Sequence, residues 1–179
     1  FSNVTSSGEE VLLYQPEYSV NGLSGSVFEI YADADIKTPD GTVRAKKGEL
    51  VATLKTNSKG TATSKLLYLG KYRVVETVAP YGTVINPEPH TIELTYSGQN
   101  EKVTNTSTSF TNDRQKVVID LTKILEQDEK FNIGNNDEIL NVSFGLYADE
   151  DLKASNGTVI PENGLIEIVT CDEKGKATF

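Results

Sequence analysis

The sequence predicts an all-β protein of the sandwich class, and three observations carry that prediction. Five stretches alternate apolar with polar side chains and are rich in Val, Ile, Thr and Tyr; turn-forming residues separate them; and no stretch sustains an apolar period of 3.6 residues. A β-barrel satisfies the same pattern and is the structural alternative.

The elements follow in order. VFEIYA (27–32) comes after an Asn21-Gly22 turn, and Pro39-Asp40-Gly41 marks the next reversal. LVATLKT (50–56) closes at Lys59-Gly60, GKYRVVETV (70–78) at Tyr81-Gly82, and HTIELTY (90–96) at Ser97-Gly98. KVVIDLTKI (116–124) opens the last third, where Asn156-Gly157 and Asn163-Gly164 supply further turns. Within RVVET the strand period puts Glu76 on one face with Val74 and Val78, and Val75 and Thr77 on the other. That favours burial of the Glu76 carboxylate over the ordinary reading of a solvated strand residue.

The strongest internal signal is a repeat. Residues 27–62 align with residues 143–177 through a single one-residue gap: Phe28 with Phe144, Tyr31 with Tyr147, Asp33 and Asp35 with Asp149 and Asp151, Lys37 with Lys153, and Gly41-Thr42-Val43 with Gly157-Thr158-Val159. The offset, 144 − 28 = 116 residues, is too long for a solenoid unit and suits an array of whole domains. The organisation expected is one complete module over 1–113 and the N-terminal part of a second, similar module over 114–179.

Composition excludes several classes. The 179 residues carry 17 basic and 26 acidic side chains, net −9, and both parts are acidic. Phosphate neutralisation needs a surplus of Lys and Arg, so a nucleic-acid partner is not expected, nor docking on an anionic membrane. No run of 18 apolar residues exists to span a bilayer. The opening FSNVTSSGEE is not a signal peptide, and the chain reads as a segment whose targeting signals lie elsewhere in its parent. Cys171, the single cysteine, cannot form an intramolecular disulfide.

Three pieces in order, GLSGSVFEIYADAD, GKYRVVETVAPYG and FTNDRQKVVIDLTK, resemble the Cna protein B-type (SpaA-like) domains of Gram-positive surface adhesins and pilins. The most specific match is the G-x-Y-x-V-x-E-x-x-A-P-x-G strand. The resemblance implies a prealbumin-like (Ig-like) β-sandwich, an extracellular place in the cell wall or on the cell surface, and a mechanical role in a tandem array. It also implies a capacity for an intramolecular isopeptide bond between a first-strand lysine and a last-strand asparagine, assisted by the glutamate of that strand. The chemistry is intelligible physically: burial favours a neutral amine and a neutral acid, and folding turns a bimolecular attack into an intramolecular one.

Carried over residue by residue, the resemblance puts the assisting acid at Glu76 and the acceptor at Asn112. The first-strand lysine is missing: no lysine precedes Lys37, and Gln15 stands at the expected place. An amide is no amine nucleophile, so the bond is in doubt in this copy. In the second copy Lys123 falls at the donor place, with its partners beyond Phe179.

Other motifs carry less. Asp33/Asp35 and Asp149/Glu150/Asp151 lack the glycine and terminal glutamate of an EF-hand loop and read as solvated loops. His90 is the only histidine, too little for a histidine zinc site or a Ser-His-Asp triad. No metal and no cofactor is expected, and no enzyme activity. The expected partners are neighbouring modules of the same chain and, for an adhesin, a host extracellular matrix protein or glycan. The alternatives are a ligand-binding adhesin domain, or an accessory domain of a secreted carbohydrate-active enzyme. Neither a wall-sorting pentapeptide nor a pilin lysine motif is present to separate stalk from pilus backbone.

Overall fold

A computed structural model describes residues 2–6, 9–154 and 156–179, with side chains from residue 12 onward. Fourteen strands follow one another: β1 (Ser2–Ser6), β2 (Glu9–Leu13), β3 (Val27–Ala32), β4 (Ile36–Lys37), β5 (Val43–Ala45), β6 (Leu50–Lys55), β7 (Gly70–Val78), β8 (His90–Leu94), β9 (Asp120–Thr122), β10 (Ser143–Tyr147), β11 (Leu152–Lys153), β12 (Val159–Ile160), β13 (Leu165–Thr170) and β14 (Lys176–Thr178). A short 3₁₀ turn at Glu138–Asn141 is the one helical element among the described residues.

Contacts divide the chain into two compact units: Val20–Lys116, and a second made of Phe1–Ser19 with Val117–Phe179. The expected modules are 1–113 and 114–179; these units divide at 116/117 and group Phe1–Ser19 with the later residues. The reason lies in the backbone pairing. The Tyr14 N–H donates to the Leu165 carbonyl at 2.8 Å, beside β13, so the N-terminal segment finds its partner in the later unit.

The Val20–Lys116 unit is built on an antiparallel sheet of order β6-β3-β7-β8, with the β4-β5 hairpin beside it. Cross-strand register puts Phe28 opposite Glu76, Ile30 opposite Val74 and Ala32 opposite Tyr72, and β8 adds Ile92 opposite Tyr72. This alternating set is the core face: Ile30, Ala32, Ile36, Ala45, Tyr72 and Val74 are buried together, with Phe28, Leu54, Ile92, Leu94 and Phe110 packed around them. The Tyr72 hydroxyl stays satisfied by donating to the Tyr68 carbonyl at 2.6 Å.

The other unit repeats the first part of this construction rung for rung. Ser143, Phe144, Gly145, Leu146 and Tyr147 pair with Thr170, Val169, Ile168, Glu167 and Leu165, with an irregularity between Leu146 and Tyr147. Val27, Phe28, Glu29, Ile30 and Tyr31 pair with Lys55, Leu54, Thr53, Ala52 and Leu50, with the irregularity between Ile30 and Tyr31. The sequence repeat is therefore also a repeat of register. The one-residue gap falls between the paired strands, in the loops, where it costs no rung. Gly60 and Gly175, both at φ 72°, close the equivalent turns; a Cβ on Gly175 would meet the Lys123 carbonyl oxygen at 2.1 Å.

Four of the five predicted strands appear close to their expected bounds. The fifth, expected over 116–124, shortens to β9, because its ladder partner β14 offers only three residues.

Candidate functional site

Glu76 is the one charged side chain buried among the described residues, at 2 % exposure. It ends the run Tyr72, Val74, Glu76 on the core face of β7, two residues past the last rung to β8, the Val74–His90 pair. The face continues there without a β8 neighbour, so groups from outside the sheet approach the carboxylate.

Two loops supply them. After β7, Pro80-Tyr81-Gly82-Thr83 forms a turn closed by the Thr83 N–H donating to the Pro80 carbonyl at 3.1 Å. Gly82 takes φ 79°, the left-handed conformation the third residue of a type II turn requires. The following residues pair with the end of the unit: the Val84 N–H donates to the Asp113 carbonyl at 2.8 Å, and the Gln115 N–H to the Gly82 carbonyl at 2.9 Å. This places Val84 and Asn86 alongside residues 111–113.

Phe110 fixes the second segment. Its ring stacks on His90 at 3.9 Å and 17°, and tilts against Phe28 at 4.9 Å. Phe110 thus bridges the two strands flanking β7, and the Thr108 hydroxyl and His90 Nδ1 form a 2.6 Å hydrogen bond at the same place. Two residues beyond Phe110, Asn112 reaches Glu76.

The geometry around the carboxylate is asymmetric. Oε2 accepts the Asn86 N–H at 2.7 Å and the Asn112 Nδ2 at 2.5 Å. Nδ2 also donates to the Val84 carbonyl at 3.0 Å, so two acceptors orient the Asn112 amide. Oε1 is equally enclosed and has no hydrogen-bond partner among the described residues. Burying a carboxylate is costly unless donors compensate it, and here the donors lie on one oxygen.

Residues 16–109 match the family described as SpaA, prealbumin-like fold domain. The chain belongs to the SpaA prealbumin-like family. Among solved structures, the Bacillus anthracis TIE protein is similar, at 25 % identity and a TM-score of 0.49, over 88 % of this chain and 23 % of that one. The chain thus spans about a quarter of that longer protein's length. No curated protein matches.

The four residues singled out in sequence lie in two places. In the Val20–Lys116 unit, Glu76 and Asn112 are brought into direct contact. Gln15 and Lys123 both belong to the other unit and are exposed; the Lys123 backbone N–H donates to the Gly175 carbonyl at 2.7 Å.

Sequence reasoning missed Asn86, Val84 and Phe110. Asn86-Pro87 is a turn-initiating pair and is the signal available for the first; its Oδ1 accepts the Glu88 N–H at 3.0 Å and its Nδ2 donates to the Thr111 carbonyl at 3.3 Å. The acidic clusters of the internal repeat have structural work in equivalent places. Asp35 Oδ1 accepts the Lys47 N–H, and Asp151 Oδ1 the Glu162 N–H, each at 3.0 Å. Among the described residues no group of three or more His, Cys, Asp or Glu is disposed to hold a metal, and no helix is long and apolar enough to cross a membrane.

Proposed function

We propose that this chain is a non-enzymatic structural and adhesive module, a stalk or spacer, of a cell-wall-anchored adhesin or pilin on a Gram-positive surface. The SpaA family match over residues 16–109 carries the reading, and the all-β construction with its register-for-register repeat supports it. Neighbouring modules of the same parent are its structural partners. Glu76 and Asn112 occupy the assisting-acid and acceptor places of an isopeptide crosslink, and Lys123 the donor place of the later copy. With Gln15 an amide and in the other unit, the Val20–Lys116 unit relies on packing and hydrogen bonds instead of an internal crosslink.

A panel of host matrix proteins, glycans and polysaccharide substrates, tested against the chain, checks the spacer role. The expected result is neither saturable binding nor turnover. Saturable binding moves the assignment to a ligand-binding adhesin domain, and polysaccharide cleavage would falsify the non-enzymatic reading.

A further inference from the structure

The internal repeat leaves two equivalent strand edges in different states. Residues 46–55 and 161–170 build the same turn and strand: the Glu49 N–H donates to the Lys46 carbonyl and the Gly164 N–H to the Pro161 carbonyl, and Leu50 and Leu165 take the same rung, opposite Tyr31 and Tyr147. In the later unit the outer side of that rung is covered. The Tyr14 N–H donates to the Leu165 carbonyl at 2.8 Å, Leu13 is buried, and a Cβ on Gly164 would meet the Tyr14 ring at 3.3 Å. Leu165 is accordingly 6 % exposed, whereas Leu50 is 46 % exposed. Among the described residues no backbone hydrogen bond from outside the sheet reaches Leu50–Lys55. β6 is an edge strand with its outer row of donors and acceptors turned to solvent, a ready template for another strand.

Charge distinguishes the two edges. The segment seated on β13 reads EEVLLY over residues 9–14 and carries −2. Residues 161–170 carry Glu162 and Glu167 with no basic residue, again −2, whereas residues 46–55 carry Lys46, Lys47 and Lys55 against Glu49, 3 − 1 = +2. An aspartate stands beside each turn, Asp35 on the Lys47 N–H and Asp151 on the Glu162 N–H, so the difference of four charges remains. Glu49, which replaces Gly164, turns its carboxylate back onto the Lys46 N–H at 2.9 Å.

We propose that the outer edge of β6 docks the residue 9–14 segment of a second copy of this chain, seated on Leu50 as Tyr14 is seated on Leu165. Main-chain hydrogen bonds and the covering of Leu50 supply affinity, and the lysines of 46–55 select an acidic strand. The source is a second copy because Gly22 is held against the Lys59 carbonyl, beyond the end of β6. To lay its own Tyr14 on Leu50, a chain must draw the 22 − 14 = 8 residues between straight along β6 and order all of them. A second copy meets no such constraint. Reciprocal exchange closes a dimer, and one-way exchange extends a row of copies.

The full chain is followed by sedimentation velocity and amide exchange from micromolar to millimolar concentration. It is measured alone, with a peptide copying residues 9–15 (EEVLLYQ), and with the same peptide carrying Lys for both glutamates. The expected result is association that grows with concentration, together with new protection of the β6 amides that face away from β3. The acidic peptide should protect the same amides and dissociate the oligomers, and the lysine peptide should bind about tenfold more weakly. Lys55→Glu should weaken association by a similar factor while the β3–β7 rungs keep their protection, which shows that the unit still folds. A chain monomeric at every concentration overturns the proposal. Oligomers that leave β6 unprotected overturn it as well, because they use another surface. Protection of β6 that does not depend on concentration overturns the second copy and names the chain's own segment as the occupant. Peptide binding without self-association likewise overturns the second copy and keeps the edge.

Discussion

Glu76 closes the buried run of β7 and meets two asparagines that come from different loops, Asn86 through its backbone and Asn112 through its side chain. Removing either donor leaves the enclosed Glu76 Oε2 with one hydrogen bond fewer. Asn112→Ala deletes the donors to Glu76 Oε2 and to the Val84 carbonyl. Hydrogen bonds to charged groups contribute about 1.5–3 kcal/mol each, so the variant should lose roughly 2–4 kcal/mol in urea denaturation. Asn112→Asp is expected to be worse, because it sets a second carboxylate against the first. An unchanged midpoint for Asn112→Ala would show that the pair contributes nothing to folding. The burial of Glu76 was legible from alternation with Val74 and Val78. Its partners were not: contact with Asn86 depends on the path of a loop from 79 to 86, and no periodicity encodes that path.

At the level of elements, short hairpins and turns depend on single aspartates. Asp40 accepts the Thr38 hydroxyl at 2.6 Å, the Thr42 N–H at 3.1 Å and the Thr42 hydroxyl at 2.9 Å, spanning the turn between β4 and β5. The Thr38 hydroxyl, followed by the Thr42 N–H, holds the Asp40 carboxyl below its ordinary value of 3.8. At the turn before β14, the Lys176 N–H does the same for Asp172, with the Lys174 N–H adding to it. A carboxyl depressed on folding contributes stability that is present above 3.8 and disappears as pH falls through the lowered folded value. Protection of the Thr42 and Lys176 amides, relative to their intrinsic exchange rates, should therefore fall as pH drops below 3.8, with no matching loss at the β3–β7 rungs. Uniform loosening of all strands would contradict this local account. These turns were legible in part: Pro39-Asp40-Gly41 announces its own chemistry, and Asp172 occupies the place of Asn57 in the repeat, which caps its turn through the same backbone donors.

For the molecule as a whole, the absence of an internal amine donor at residue 15 has a mechanical consequence. If the full chain is held at residues 20 and 116 and pulled, the unit between them should lengthen to the contour of its whole 97-residue span, about 350 Å at up to ~3.6 Å per residue. A much shorter extension would show an internal crosslink to Asn112. The sequence by itself determined the strand class, the repeat, the buried face of β7 and the turns, because all of these follow from local alternation and turn chemistry, which are written within a few neighbouring residues. Family resemblance supplied Asn112 as a candidate, which composition and spacing alone do not single out. Only the tertiary structure decided that residues 1–19 join Val117–Phe179, since one hydrogen bond between Tyr14 and Leu165 links segments 151 positions apart (165 − 14). It alone decided, too, that Glu76 spends one oxygen on two asparagines and leaves the other enclosed without a partner, because that balance is set by loops converging from 10 and 36 residues away.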